Sequence, residues 1–232
     1  MLQVSGLAKA FGETIALQDV SFHVEQGEIL GLVGPNGSGK TTLLDCLCGL
    51  QTVERGEVAW QGRSLPPSAR KSVMYYVPDG ITPYPEHRTI DVLRFFAGAF
   101  SRPTAIMDEI IDGLALAPVA AKRIGALSKG FRRRLLIGLG LLAPHPLLLL
   151  DEPFDGLDVR QTRDVTTLLR RTANDARTLF LSIHQLGDAE RVCDRFILLS
   201  GGQIRAEGRL DELRARVGVA AGGLEDVFLA LT

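Results

Sequence analysis

Residues 34–41 read Gly34-Pro35-Asn36-Gly37-Ser38-Gly39-Lys40-Thr41, a full match to the pattern G-x-x-x-x-G-K-[ST]. The glycines let the backbone bend until several N–H groups point inward, the arrangement that cradles phosphate oxygens. Lys40 is placed to reach β and γ phosphates, and the Thr41 hydroxyl to ligate Mg²⁺. A second run, Leu147-Leu148-Leu149-Leu150-Asp151-Glu152, is an apolar strand ending in two acids. Asp151 at that strand end suits Mg²⁺, directly or through water. Glu152 would then lie near the γ-phosphate, able to polarise an attacking water. Each feature also has a bland reading: a glycine-rich turn with a chance lysine, and a strand end with solvated acids.

The elements around these residues agree with phosphate chemistry. Residues 29–33 form a short apolar run with the look of a buried strand, and the helix after the loop opens at Lys40-Thr41-Thr42 and stops near Gly49. A strand, the glycine loop and a helix N-terminus in that order supply a positive dipole end for an anion. Residues 73–77 read as a strand ending at Pro78, 88–100 and 104–116 as helices parted by Pro103, and 128–143 as a helix capped by Ser128 and stopped by Pro144. Residues 147–150, 178–183 and 196–199 read as strands, and 159–173 as a helix. The alternation predicts an α/β fold with a mainly parallel sheet. Residues 2–24 with 58–60 look like an antiparallel β part packed against it.

Composition narrows the setting. The chain has 232 residues, 46% hydrophobic and 23% charged, with a formal net charge of −1. That is ordinary for a globular domain, and it lacks the basic excess of a nucleic-acid binder. Cys46, Cys48 and Cys193 are too few for a disulfide framework, and the C-x-C pair has no partner cluster for a metal, so a reducing compartment fits. The start MLQVSGLAKAFGE has no basic run followed by an apolar core, so no signal peptide is expected. The longest apolar stretch, 135–150, is broken by Pro144-His145-Pro146 and too short to span a bilayer. A cytoplasmic protein is expected, with any membrane role carried by a partner.

Further motifs follow in order: Phe11 ahead of the glycine loop, Leu127-Ser128-Lys129-Gly130-Phe131 before the acidic strand, Phe154-Asp155-Gly156-Leu157-Asp158 after it, then Ser182-Ile183-His184. Taken with the phosphate loop and Asp151-Glu152, the set resembles an ATP-binding cassette (ABC) nucleotide-binding domain over nearly the whole chain. The resemblance implies a P-loop NTPase core with a mainly parallel sheet, an antiparallel β subdomain and a helical signature subdomain, all in one ATPase domain over residues 1–232. It also implies an inserted helical part over about residues 80–143 and a helical cap over about 205–232.

The same resemblance assigns roles. Residues Gly34 to Thr42 hold the phosphates of ATP, Phe11 stacks on the adenine, and Ser128 and Gly130 touch the γ-phosphate of ATP held by a second subunit. Asp158 shapes the subunit interface. His184 bonds the γ-phosphate or orients the water and Glu152, so Lys40, Glu152 and His184 form the catalytic set. Bland alternatives are a core aromatic for Phe11, an N-cap for Ser128 and a structural histidine. Two departures stand out. Lys129 and Phe131 occupy positions usually held by glycine and glutamine. Asp79, ending Tyr75-Tyr76-Val77-Pro78-Asp79, stands where a glutamine is usual; it can still offer Mg²⁺ an oxygen beside Thr41 and Asp151, but it adds charge and removes an amide donor.

These likenesses imply the ATP-hydrolysing subunit of a transporter, working with Mg²⁺ as a homodimer or heterodimer on the cytoplasmic face of a membrane. Its partner would be a multi-spanning permease subunit docked near residues 79–99, with Tyr84, Phe95 and Phe96. The signature variant and the tail Leu224-Glu225-Asp226-Val227-Phe228-Leu229 resemble those of exporter ATPases. A soluble iron–sulfur assembly ATPase and a small-molecule kinase are the alternatives.

Overall fold

Strand β3 (Ile29–Val33) shows how the layers are built. Its side chains alternate between two cores: Ile29 and Val33 on one face, Leu30 and Leu32 on the other. Strand β7 (Leu147–Asp151) does the same with Leu148 and Leu150 against Leu147 and Leu149. Both strands are buried throughout, as expected of central strands covered on both sides. The computed structural model describes residues 1–174, 176–219 and 221–231.

Around these two lie β8 (Thr178–Ile183), β6 (Met74–Val77), β9 (Arg195–Ser200) and β10 (Gln203–Gly208), in the order β10-β9-β3-β8-β7-β6. Every pairing is parallel except that of β10, which turns back on β9. One face packs on helices α3 (Thr89–Ala99), α4 (Thr104–Gly113), α5 (Lys129–Leu142), α6 (Val159–Thr172) and α7 (Leu186–Val192). The other face packs on α1 (Lys40–Cys48) and a four-stranded antiparallel sheet. That sheet joins β1 (Leu2–Phe11), β2 (Thr14–Val24), β4 (Arg55–Trp60) and β5 (Arg63–Ser64) in the order β2-β1-β4-β5. A short α2 (Pro67–Arg70) follows it.

Residues 205–208, expected in a helical cap, complete β10 instead. Their alternation is strand-like, with Ala206 buried, and the helices α8 (Leu210–Val217) and α9 (Leu224–Leu231) begin only after Gly208. Among the described residues, no helix is long and apolar enough to cross a membrane.

Candidate active site

The glycine loop runs from the end of β3 into α1 between two other strands. A Cβ on Gly34 would collide with the Leu199 carbonyl oxygen, and one on Gly39 would stand 2.6 Å from that of Ala16. Gly39 also has φ +105°, so only glycine fits without strain. No side chain caps α1, leaving its first N–H groups facing the loop's hollow. Ser38 is buried, and its Oγ has no hydrogen-bond partner among the described residues. A buried orphan hydroxyl beside uncapped N–H groups is what a phosphate would satisfy.

Lys40, only 6% exposed, donates from Nζ to the Gly34 carbonyl at 2.8 Å and the Pro35 carbonyl at 3.4 Å. A cleft of about 350 Å³ opens over it, lined among others by Asn36, Gly37, Thr41, Thr42, Asp79 and Glu152. Thr14, Ile15 and Ala16 of β2 close one side. Ile15 is 61% exposed there, an apolar side chain at the cleft's rim.

At the end of β7, Asp151 is 1% exposed and accepts from three hydroxyls. Thr41 Oγ1 lies 2.9 Å and the Tyr76 hydroxyl 3.3 Å from Oδ2, while Ser182 Oγ bonds Oδ1. Burial first, then the charges of Asp151 and Asp45, hold the Tyr76 phenol far above its usual range, so it stays a donor. The Thr41 hydroxyl and the Asp151 carboxylate are two hard oxygens side by side, the donor set that Mg²⁺ takes.

Glu152 follows with φ +50°, a left-handed backbone in a residue with a side chain. Its N–H donates to the Ser182 carbonyl at 3.0 Å, which holds the turn. The turn aims the carboxylate at the cleft, with Oε1 3.6 Å from Lys40 Nζ and Oε2 2.6 Å from His184 Nδ1. The His184 N–H donates to the same Oε2 at 3.1 Å. Asp79 also faces the cleft, but Arg133 is bonded to its Oδ1.

Phe11, Ser128, Gly130 and Asp158 do not line this cleft. Phe11 is 48% exposed, with the Lys9 ammonium 4.9 Å from its ring centre. Ser128 caps α5, its Oγ accepting from the Phe131 N–H at 3.4 Å. Asp158 caps α6 in a capping box with Gln161. Gly130 sits where these two helix starts meet, and a Cβ there would stand 2.9 Å from both the Gln161 Oε1 and the Gly156 carbonyl. Lys129, the departure from glycine, pairs with Asp155 at 2.7 Å and lies over Gly156.

Arg133 and the β2 residues 14–16 belong to no motif, and Tyr76 and Ser182 lie within motif segments that give them no role of their own. Ser182 had a signal in the sheet register, because a parallel strand pair that buries Asp151 sets Ser182 directly opposite it. Arg133 had none, since its partner is 54 residues away.

A parallel sheet whose central strand leads through a glycine loop into a helix is the phosphate-loop ATPase fold, here with an antiparallel sheet on one face. The chain belongs to the ABC transporter family, whose profile matches residues 17–155. It is 31% identical to the ABC-type transporter ATP-binding protein EcsA of Bacillus subtilis (strain 168), covering 100% of this chain and 96% of that one. It is 33% identical to the Nod factor export ATP-binding protein I of Ralstonia nicotianae, over 92% of this chain and 68% of the relative. A solved ATP-binding subunit of an ABC transporter superposes with a TM-score of 0.87 at 29% identity, covering 100% and 99% of the two chains. The protein is therefore an ATP-binding, ATP-hydrolysing cassette of that family.

Proposed function

We propose that this cassette hydrolyses ATP with Mg²⁺ in the cleft above Lys40 and uses the energy to drive export through a separate multi-spanning membrane subunit. The observation that carries the reading is Glu152 set between Lys40 at 3.6 Å and His184 at 2.6 Å, over a loop with an unpartnered buried hydroxyl. Thr41 and Asp151 would hold the Mg²⁺, which supplies charge neutralisation on the phosphate oxygens. Lys40 adds a fixed positive charge to the β and γ phosphates. Glu152 accepts a proton from the attacking water as its oxygen bonds to the γ-phosphorus and the bond to ADP breaks. His184 keeps the Glu152 carboxylate oriented.

Ser128 and Gly130 stand outside the chain's own cleft, which supports a head-to-tail pair in which each reaches the other subunit's ATP. Val159, 85% exposed next to Asp158, is an apolar side chain suited to such an interface. The membrane subunit has a fitting seat in an apolar groove of about 670 Å³ lined by Ile81, Pro83, Tyr84, Phe95 and Phe96. Docking there would hold the protein on the cytoplasmic face of a membrane. The relative named as a Nod factor export ATP-binding protein supports export as the direction of transport.

The test is purification from gently solubilised membranes with assay of phosphate release. A stoichiometric multi-spanning partner and ATPase activity lost in Lys40→Ala are expected. Only soluble companions would overturn the transport half, and activity surviving in Lys40→Ala the chemical half.

A further inference from the structure

Asp79 is an acid in a cleft built for a polyanion. It lies two residues beyond β6 and lines the cleft together with Lys40, Thr41 and Glu152. Glu152 already lines the cleft and Asp151 is buried behind Thr41, so a further carboxylate would oppose a triphosphate unless it were neutralised. The neutralising group is Arg133, in the second turn of α5, whose side chain is 6% exposed against 47% for Asp79. Its Nη2 bonds Asp79 Oδ1, and its Nη1 donates to the main-chain carbonyl of Asp151 at 3.2 Å. One guanidinium thus spans the loop after β6 and the end of β7.

We infer that Arg133 is a positioning residue: it withholds the Asp79 carboxylate from nucleotide and metal while bracing the Asp151 main chain from behind. Arginine suits this because its planar fork serves two acceptors at once and keeps its charge when buried. Val77, Ile81 and Thr82 flank Asp79 in the chain, and Leu136 follows Arg133 by one turn of α5; all four line the apolar groove. The inference rests on the reading of the cleft as an ATP site.

The experiment is equilibrium binding of a fluorescent ATP analogue to the full chain, with EDTA and with graded Mg²⁺. Wild type, Arg133→Gln, Asp79→Asn and the double variant are compared. In EDTA, Arg133→Gln frees a carboxylate beside the phosphates and should bind about tenfold more weakly, a difference of about 1.4 kcal/mol. The double variant removes that carboxylate and should return to within about twofold of wild type. Equal weakening of the single and double variants would overturn the inference, since Arg133 would then act on the phosphates or on the fold. Asp79→Asn, whose side chain is half exposed, decides the matter even if Arg133→Gln does not fold. Its half-saturating Mg²⁺ for nucleotide binding should stay within about twofold of wild type. A rise of about tenfold would make Asp79 a metal ligand and end the proposal. Wild-type protein that bound no analogue in either buffer would remove the ATP-site reading, and this inference with it.

Discussion

The Glu152 carboxylate is gripped by His184 twice on one oxygen: by the ring Nδ1 at 2.6 Å and by the main-chain N–H at 3.1 Å. The other oxygen faces Lys40 at 3.6 Å, so the acid's direction is set by the chain's own groups. Removing the ring leaves the main-chain bond, and removing the charge leaves the geometry. His184→Ala should therefore lower phosphate release about 10²-fold, and Glu152→Gln about 10³-fold, within the usual range for a positioned acid or base. Neither should weaken ATP binding more than a few-fold, which a nucleotide titration would check.

Besides Thr41 of the glycine loop, Asp151 is held by the hydroxyls of Tyr76 and Ser182, to which no motif gives a role. Tyr76→Phe deletes one donor to a buried carboxylate and keeps the ring's packing. Outer groups that orient metal ligands typically matter by 10- to 100-fold. The Mg²⁺ concentration for half-maximal ATPase should rise about tenfold, with little change in melting temperature.

Lys129 and Asp155 tie the start of α5 to the loop before α6. The Lys129 hydrogen bond holds the Asp155 carboxyl below its usual range. A lowered acid stabilises the fold above the ordinary carboxylate range, and that contribution is lost as the pH falls through the lowered value. The partners are substantially exposed, so Lys129→Ala should cost less than about 1 kcal/mol at neutral pH in urea unfolding. The difference should shrink in high salt.

The three thiols should be inert in the folded protein. Burial pushes the Cys46 thiol up to about 11 and that of Cys48 to about 12, and raises Cys193 further. Thiolate is the reactive form, so iodoacetamide at pH 7.5 should label none of them until denaturant is added.

How far the sequence alone reached depended on where the partners lie. The glycine loop, Lys40 and Thr41 are local, and their strand–loop–helix context could be read directly from residues 29–48. Ser128 as the cap of α5 was likewise legible, because a cap is a contact three residues long. The grip of Tyr76 and Ser182 on Asp151 was not: they come from β6 and β8, and only the sheet order β8-β7-β6 sets them on either side of it. Asp79 illustrates the same point. Its charge was visible, but the arginine that answers it sits on another helix. Residues 205–208 were placed in a helical cap by the family resemblance, whereas their own alternation continues the strand to Gly208.

In the proposed cycle two copies close around ATP, and hydrolysis at Glu152 opens them again. The most direct measurement is the solution mass of Glu152→Gln, by light scattering on a sizing column, with and without ATP. A monomer of 25.1 kDa that becomes a dimer only with ATP is the predicted result, alongside wild type that dimerises only transiently. A variant that binds ATP yet stays monomeric at every concentration would rule out closure of two copies around the nucleotide.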